Sequence, residues 1–202
     1  MKKTFLTLFA AMATGIAAKA EVIAQWDFNY PLTGSVPIEI DPSSGTFLPS
    51  EGAGVFNTIG TVTNSFGSPP AGGQTSDYWP DNSALRLGQF PGAGVGNKTA
   101  GVEFFVNTSG YENIRLTWDQ ENSASASRYW RIQYTTNRVD WIDHDIVIAN
   151  HLGDPNPTGT PTWQLGLTSD FSAIPEVNNN PDFGIRIVSE FESTATGSGA
   201  NA

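Results

Sequence analysis

Asp140-Trp141-Ile142-Asp143-His144-Asp145 is the densest run of chemically capable side chains in the sequence. Aspartate oxygens suit Ca2+, a hard cation that takes about six to eight oxygen ligands in tolerant geometry. In an extended strand Asp143 and Asp145 project from one face, where a Ca2+ or Mn2+ could bridge them with Asp140 close by. The run fits a solvated loop entering a strand equally well, since Asp is common at turns, and no calcium-loop spacing accompanies it. His144 and His151 are the only histidines. Zinc would need ligands gathered from distant loops, and no Gly-x-Ser-x-Gly elbow offers a serine for either imidazole.

Glycoside hydrolysis needs two acids flanking a bond. Asp119 with Glu121, and Glu190 with Glu192, each share a strand parity, and Glu103 sits within an alternating segment. Both pairs fall at strand ends beside loop formers, where exposed acids are ordinary. The aromatics say more. Sugar rings stack on open Trp and Tyr faces while polar neighbours take the hydroxyls. Tyr78-Trp79, Tyr129-Trp130 and Trp141 are the candidates, because adjacent residues on a strand point to opposite faces and one of each pair must leave the core. Tyr78, Trp79, Tyr129 and Trp141 are the expected ligand contacts. The Gly92–Thr99 stretch is no phosphate loop: Gly92 and Gly96 are too close together and Asn97 separates Gly96 from Lys98.

The elements that position these residues read as strands. Apolar residues alternate in Val22–Phe28, Leu85–Leu87, Val102–Val106, Ile114–Trp118, Trp130–Tyr134 and Phe183–Val188, with further candidates at Ile146–Ile148 and Trp163–Leu167. Period two places one face in a core and the other toward water. No sustained helical stripe interrupts the pattern. Some seven or eight strands in two facing sheets satisfy it, a jelly-roll-like antiparallel β-sandwich, with a closed barrel as the rival. Pro31–Asp81, rich in Gly, Pro, Ser and Thr, reads as long loops or weak edge strands, with Val55–Val62 as one weak strand.

Met1–Ala20 has a basic start, an apolar stretch and Ala18-Lys19-Ala20 at its end, the pattern of an export signal too short to anchor in a bilayer. Residues 21–192 form the expected sandwich, and the Ser/Thr/Gly/Ala-rich 193–202 reads as a flexible tail or the start of a truncated continuation. Setting aside Lys2, Lys3 and Lys19 leaves seven basic residues against 20 acidic ones, a formal charge of −13. Such a surface disfavours nucleic acid and anionic lipid and suits a secreted or cell-surface protein without direct membrane insertion in this span. With no cysteine, thiolate chemistry and disulfides are excluded, and packing alone must hold the fold.

Several segments together carry a resemblance: Leu85-Arg86-Leu87-Gly88, Lys98–Phe104, Thr108–Ile114, Trp118-Asp119-Gln120, Ser127-Arg128-Tyr129, Gln133–Thr136 and Asn180–Val188. Over about residues 80–192 the chain resembles bacterial exported β-sandwich domains found in surface proteins with a PEP-CTERM-type sorting tail, and beside exported hydrolase modules. The resemblance implies an accessory domain with no catalytic residues to carry over. It also implies one further strand and a sorting tail beyond 193–202, neither of which this sequence holds. The expected function is a non-catalytic surface or matrix module contacting an extracellular glycan or matrix protein, with Ca2+ bracing a loop. A structural spacer and a glycan hydrolase are the alternatives.

Overall fold

The computed structural model describes residues 21–28, 40–41, 46–67, 84–123, 125–149 and 163–190. These residues contain thirteen strands and one 3-10 turn, Pro175–Val177. In chain order the strands are β1 (Ala24–Gln25), β2 (Ile40–Asp41), β3 (Thr46–Phe47), β4 (Glu51–Gly52), β5 (Val55–Ile59), β6 (Thr63–Gly67) and β7 (Ala84–Gly88). There follow β8 (Gly101–Phe105), β9 (Arg115–Glu121), β10 (Tyr129–Thr135), β11 (Ile142–Ile148), β12 (Trp163–Asp170) and β13 (Gly184–Ser189). All pairings are antiparallel, and the chain is an all-β sandwich. No helix among the described residues is long and apolar enough to cross a membrane.

One layer is a five-stranded sheet in the order β11-β10-β13-β8-β5. The facing layer comprises the pairs β9–β12 and β6–β7, with β1–β4 and β2–β3 as short additions. The alternating residues meet between them. Phe56, Val102, Trp130, Ile132, Ile185 and Ile187 line the inner face of the large sheet, and Leu87, Leu116 and Trp118 press on them from the other side. Phe171 and Phe183, fully buried, fill the centre with an edge-to-face contact of 5.8 Å between ring centroids. Burying a side chain of that size contributes about 1.5–3 kcal/mol each, and in a cysteine-free chain this packing replaces covalent staples. The N-terminal segment joins the same core. Trp26 lies 5.1 Å from Phe104, and its indole N–H donates to the Phe47 carbonyl at 3.2 Å.

Two local expectations are revised. The stretch 55–62 is not one strand. Gly60, at φ +74°, turns the chain from β5 in the large sheet toward β6 in the opposite layer. A Cβ there would stand 2.5 Å from the Thr99 carbonyl oxygen, so only glycine makes this corner. The strand expected at Ile146–Ile148 begins four residues earlier and includes Asp143, His144 and Asp145 of the acidic run, with Asp140 and Trp141 preceding it.

A β-bulge governs that run. Ile132 pairs with Asp145 and Gln133 with Asp143, so His144 is the extra residue. Alternation breaks there. Asp143 falls on the outer side with Gln133, while Asp145 falls on the inner side with Ile132.

Candidate functional site

The outer face of the five-stranded sheet carries the polar halves of the alternating strands. Register aligns Asp143, Gln133, Arg186, Glu103 and Asn57 in one row across β11, β10, β13, β8 and β5. Gln133 Nε2 donates to Asp143 Oδ1 at 2.8 Å. Arg186 donates from Nε at 2.9 Å and from Nη2 at 2.8 Å to Glu103 Oε2, and Asn57 Nδ2 donates to Glu103 Oε1 at 3.1 Å. Beside the row, Arg131 Nε donates to Glu190 Oε2 at 2.6 Å. Lys98 reaches over from the loop before β8, donating to Asp143 and lying 3.6 Å from Glu190.

Each acid of this face therefore has a cation. Partial burial alone would push the Asp143 carboxyl up, but the Lys98 and Gln133 hydrogen bonds and the charges of Lys98 and Arg131 hold it below the ordinary carboxylate value. The Glu190 hydrogen bond raises the Arg131 guanidinium further, against the opposing effect of burial.

One step along the strands lies an aromatic strip. Trp141 and Phe105 sit with ring centroids 5.9 Å apart. Phe105 rests on Gly184, where a Cβ would meet its ring carbons at 2.7 and 2.8 Å. Thr135, fully buried, pairs with Gly184 beneath the same strip. Guanidinium groups flank the rings: Arg186 lies 3.8 Å from the Trp141 centroid and Arg138 5.2 Å from that of Phe105, distances at which the cation meets the electron-rich face. Arg138 is fixed in turn by Asp182 at 3.0 Å and the Pro181 carbonyl at 3.1 Å.

A second polar region follows the seam where β11 meets β12. Trp118 Nε1 donates to Gln120 at 3.0 Å, Gln120 to Asn122 at 2.9 Å, Asn122 to Gln164 at 3.5 Å, and Gln164 to the Ile148 carbonyl at 3.2 Å. Further along, Ser169 donates to Asp145 at 2.6 Å, and His144 Nε2 lies 3.0 Å from the Asp170 carbonyl. A carbonyl only accepts, so that nitrogen carries the hydrogen and is not a base toward Ser169. The His144 ring stacks on Phe171, 4.4 Å between centroids. Toward the other end of the β9–β12 ladder, where Trp163 pairs with Glu121, Trp130 Nε1, Trp163 Nε1 and Arg128 Nε are buried with no acceptor among the described residues. Burial pushes the Glu121 carboxyl up, and no hydrogen bond or ion pair reaches it among the described residues.

The expected site residues are thus dispersed. Trp141 and Asp143 belong to the outer face. Tyr129 shares that face at the other end of β10, with the Arg128 guanidinium 5.8 Å from its ring. Asp140 accepts from Asn137 Nδ2 at 2.8 Å in the β10–β11 turn. The bulge corrects the shared face expected of Asp143 and Asp145: the first belongs to the outer network and the second to the seam. Among the described residues no group of three or more His, Asp or Glu is gathered around a common point. Tyr78, Trp79, His151 and Glu192 lie outside the described residues.

Type and spacing do not mark Phe105, Gln133, Arg186 and Asn57 as contacts, and they mark Glu103 only as a candidate hydrolytic acid. Their signal was the alternation itself, which places the residues between the core positions of four strands on one outer face. No family model, curated protein or solved structure matches the chain.

Proposed function

We propose that the chain is a non-catalytic extracellular surface module that contacts carbohydrate through the outer face of its five-stranded sheet. The observation that carries this is the Trp141–Phe105 strip, two half-buried rings seated over Gly184 and Thr135 beside a row of fixed polar side chains. Two aromatic rings inclined at 56° to each other, with hydrogen-bonding groups on one side, offer apolar contacts and polar partners to a sugar chain, whose rings have apolar faces and hydroxyl edges. The acids of the face are each engaged by a cation or an amide. That arrangement supports binding over hydrolysis, because a general acid must hold a transferable proton near neutral pH. The likeness to exported β-sandwich domains agrees with a surface location.

The test is a glycan-array screen of the purified chain, in CaCl2 and again in EDTA, with Trp141→Ala and Phe105→Ala alongside. Binding that falls in both variants is the expected result, and loss in EDTA would add a structural cation. Silence from a folded sample would overturn the carbohydrate reading and leave a structural spacer. Release of reducing sugar from a bound glycan would overturn the non-catalytic one.

A further inference from the structure

Resting on that reading, we infer that the outer face takes an uncharged, extended glycan that runs across the strands rather than along them. Charge sets the first part. Lys98, Arg131 and Arg186 oppose Asp143, Glu190 and Glu103, three cations against three anions, and Arg138 is matched by Asp182. These are four of the chain's ten basic residues, and each faces an acid of the same chain. The face is electrically balanced within a protein of net charge −10. Among the described residues, a polyuronate or sulfated glycan lying on the row would meet only cations already paired with an acid, and would approach against the field of the whole molecule. A hydroxyl, which both donates and accepts, can pair with carboxylate, amide or guanidinium edges without unbalancing any of them.

Geometry sets the second part. The polar row and the aromatic strip lie side by side, and both cross the sheet from β11 toward β8 and β5. Five strands at the usual spacing give the row a span of about 19 Å, the reach of a short oligosaccharide. A ligand that stacks on Trp141 and Phe105 while bonding to the row must follow that direction. A chain lying along β10 instead would leave the row after Gln133 and meet Arg131 and Tyr129, away from the rings.

Calorimetry with a neutral cello-oligosaccharide and an oligogalacturonide of equal length tests both parts. The neutral ligand is expected to bind, with less than about a twofold change between low and high salt, since exposed-charge attraction is what salt screens. Asp143→Ala and Asn57→Ala, at opposite ends of the row, should each weaken it several-fold. Gly184→Val should abolish binding by lifting Phe105, and Phe105→Ala gives the same readout if that variant fails to fold. Tighter, salt-sensitive binding of the uronide would overturn the uncharged class while leaving carbohydrate contact standing. Weakening at only one end of the row would overturn the crossing direction. No binding of either ligand by folded protein would remove the carbohydrate proposal itself.

Discussion

Asp143, an exposed carboxylate, and Glu121, a half-buried one, both stand near the ends of strands, and they are displaced in opposite directions. Asp143 lies in a row where Lys98 and Gln133 donate to it, and it stays ionised below the usual range. Glu121 ends β9 beside the seam, receives no donor among the described residues, and is pushed up by burial. The same contrast separates the two regions as wholes. On the outer face the polar groups are joined by charge-assisted bonds, the Arg186–Glu103 pair using two nitrogens on one oxygen. Along the seam the links are single bonds, between neutral groups except where Ser169 meets Asp145, and as long as 3.5 Å, with three buried donors nearby unmatched among the described residues. An arrangement of charges holds its shape when each charge is answered, whereas a chain of amides depends on the packing around it.

The most damaging way to break the contrast is Glu103→Ala. It strands the Arg186 guanidinium and the Asn57 amide together, and should lower stability by about 3 kcal/mol in a denaturant titration. Cutting the seam by Gln164→Ala should lower it by only about 1 kcal/mol, the net value of a typical hydrogen bond. If the two losses are equal, the outer row is no stiffer than the seam.

The two acids sharpen the comparison through pH. Because Asp143 titrates below the ordinary 3.8 when folded, the unfolded chain binds more protons in that window. The stability Asp143 contributes is thus complete above 3.8 and is lost as pH falls through its depressed folded value. Asp143→Asn should flatten the acid limb of a stability–pH curve. Glu121 runs the other way. Its folded value is above the usual 4.5, so the folded chain binds more protons and stability drops as pH rises through that range. Glu121→Gln should therefore stabilise at neutral pH, with the gain vanishing below about 4.5. The smallest effect is expected for Trp163→Phe, within about 0.5 kcal/mol of the parent in thermal melts. That substitution deletes a buried N–H that has no acceptor among the described residues, offsetting the lost packing.

Alternation made the layers legible in the sequence. Val102, Phe104, Ile114, Leu116, Trp130, Ile132, Ile185 and Ile187 all face or border the core, as period two requires. Trp141 was legible only as a candidate by residue type, since it lies in none of the alternating segments. Register was not. Which polar residues stand beside Arg186 depends on strand order, and β13 inserts between β10 and β8, more than forty residues from either in the chain. The bulge was hidden too, because His144 fits an alternating strand as well as it fits an inserted residue. That single extra residue moved Asp145 off the face assigned to it. Gly184 carried no mark of its role, which exists only because Phe105 comes to rest on it from another strand.

The crossing row has a mechanical meaning as well. Side chains linked at right angles to the strands resist shear. To slide β13 past β8 while keeping the apolar residues inward, the slip must be two residues, about 7 Å. No shorter slip is available, and a slip of that size carries Arg186 clear of Glu103 before any new partner is in reach. A surface module under tension would yield by parting its strands one bond at a time or by breaking the latch in a single step. The two-bond Arg186–Glu103 pair near the middle of the sheet favours the second.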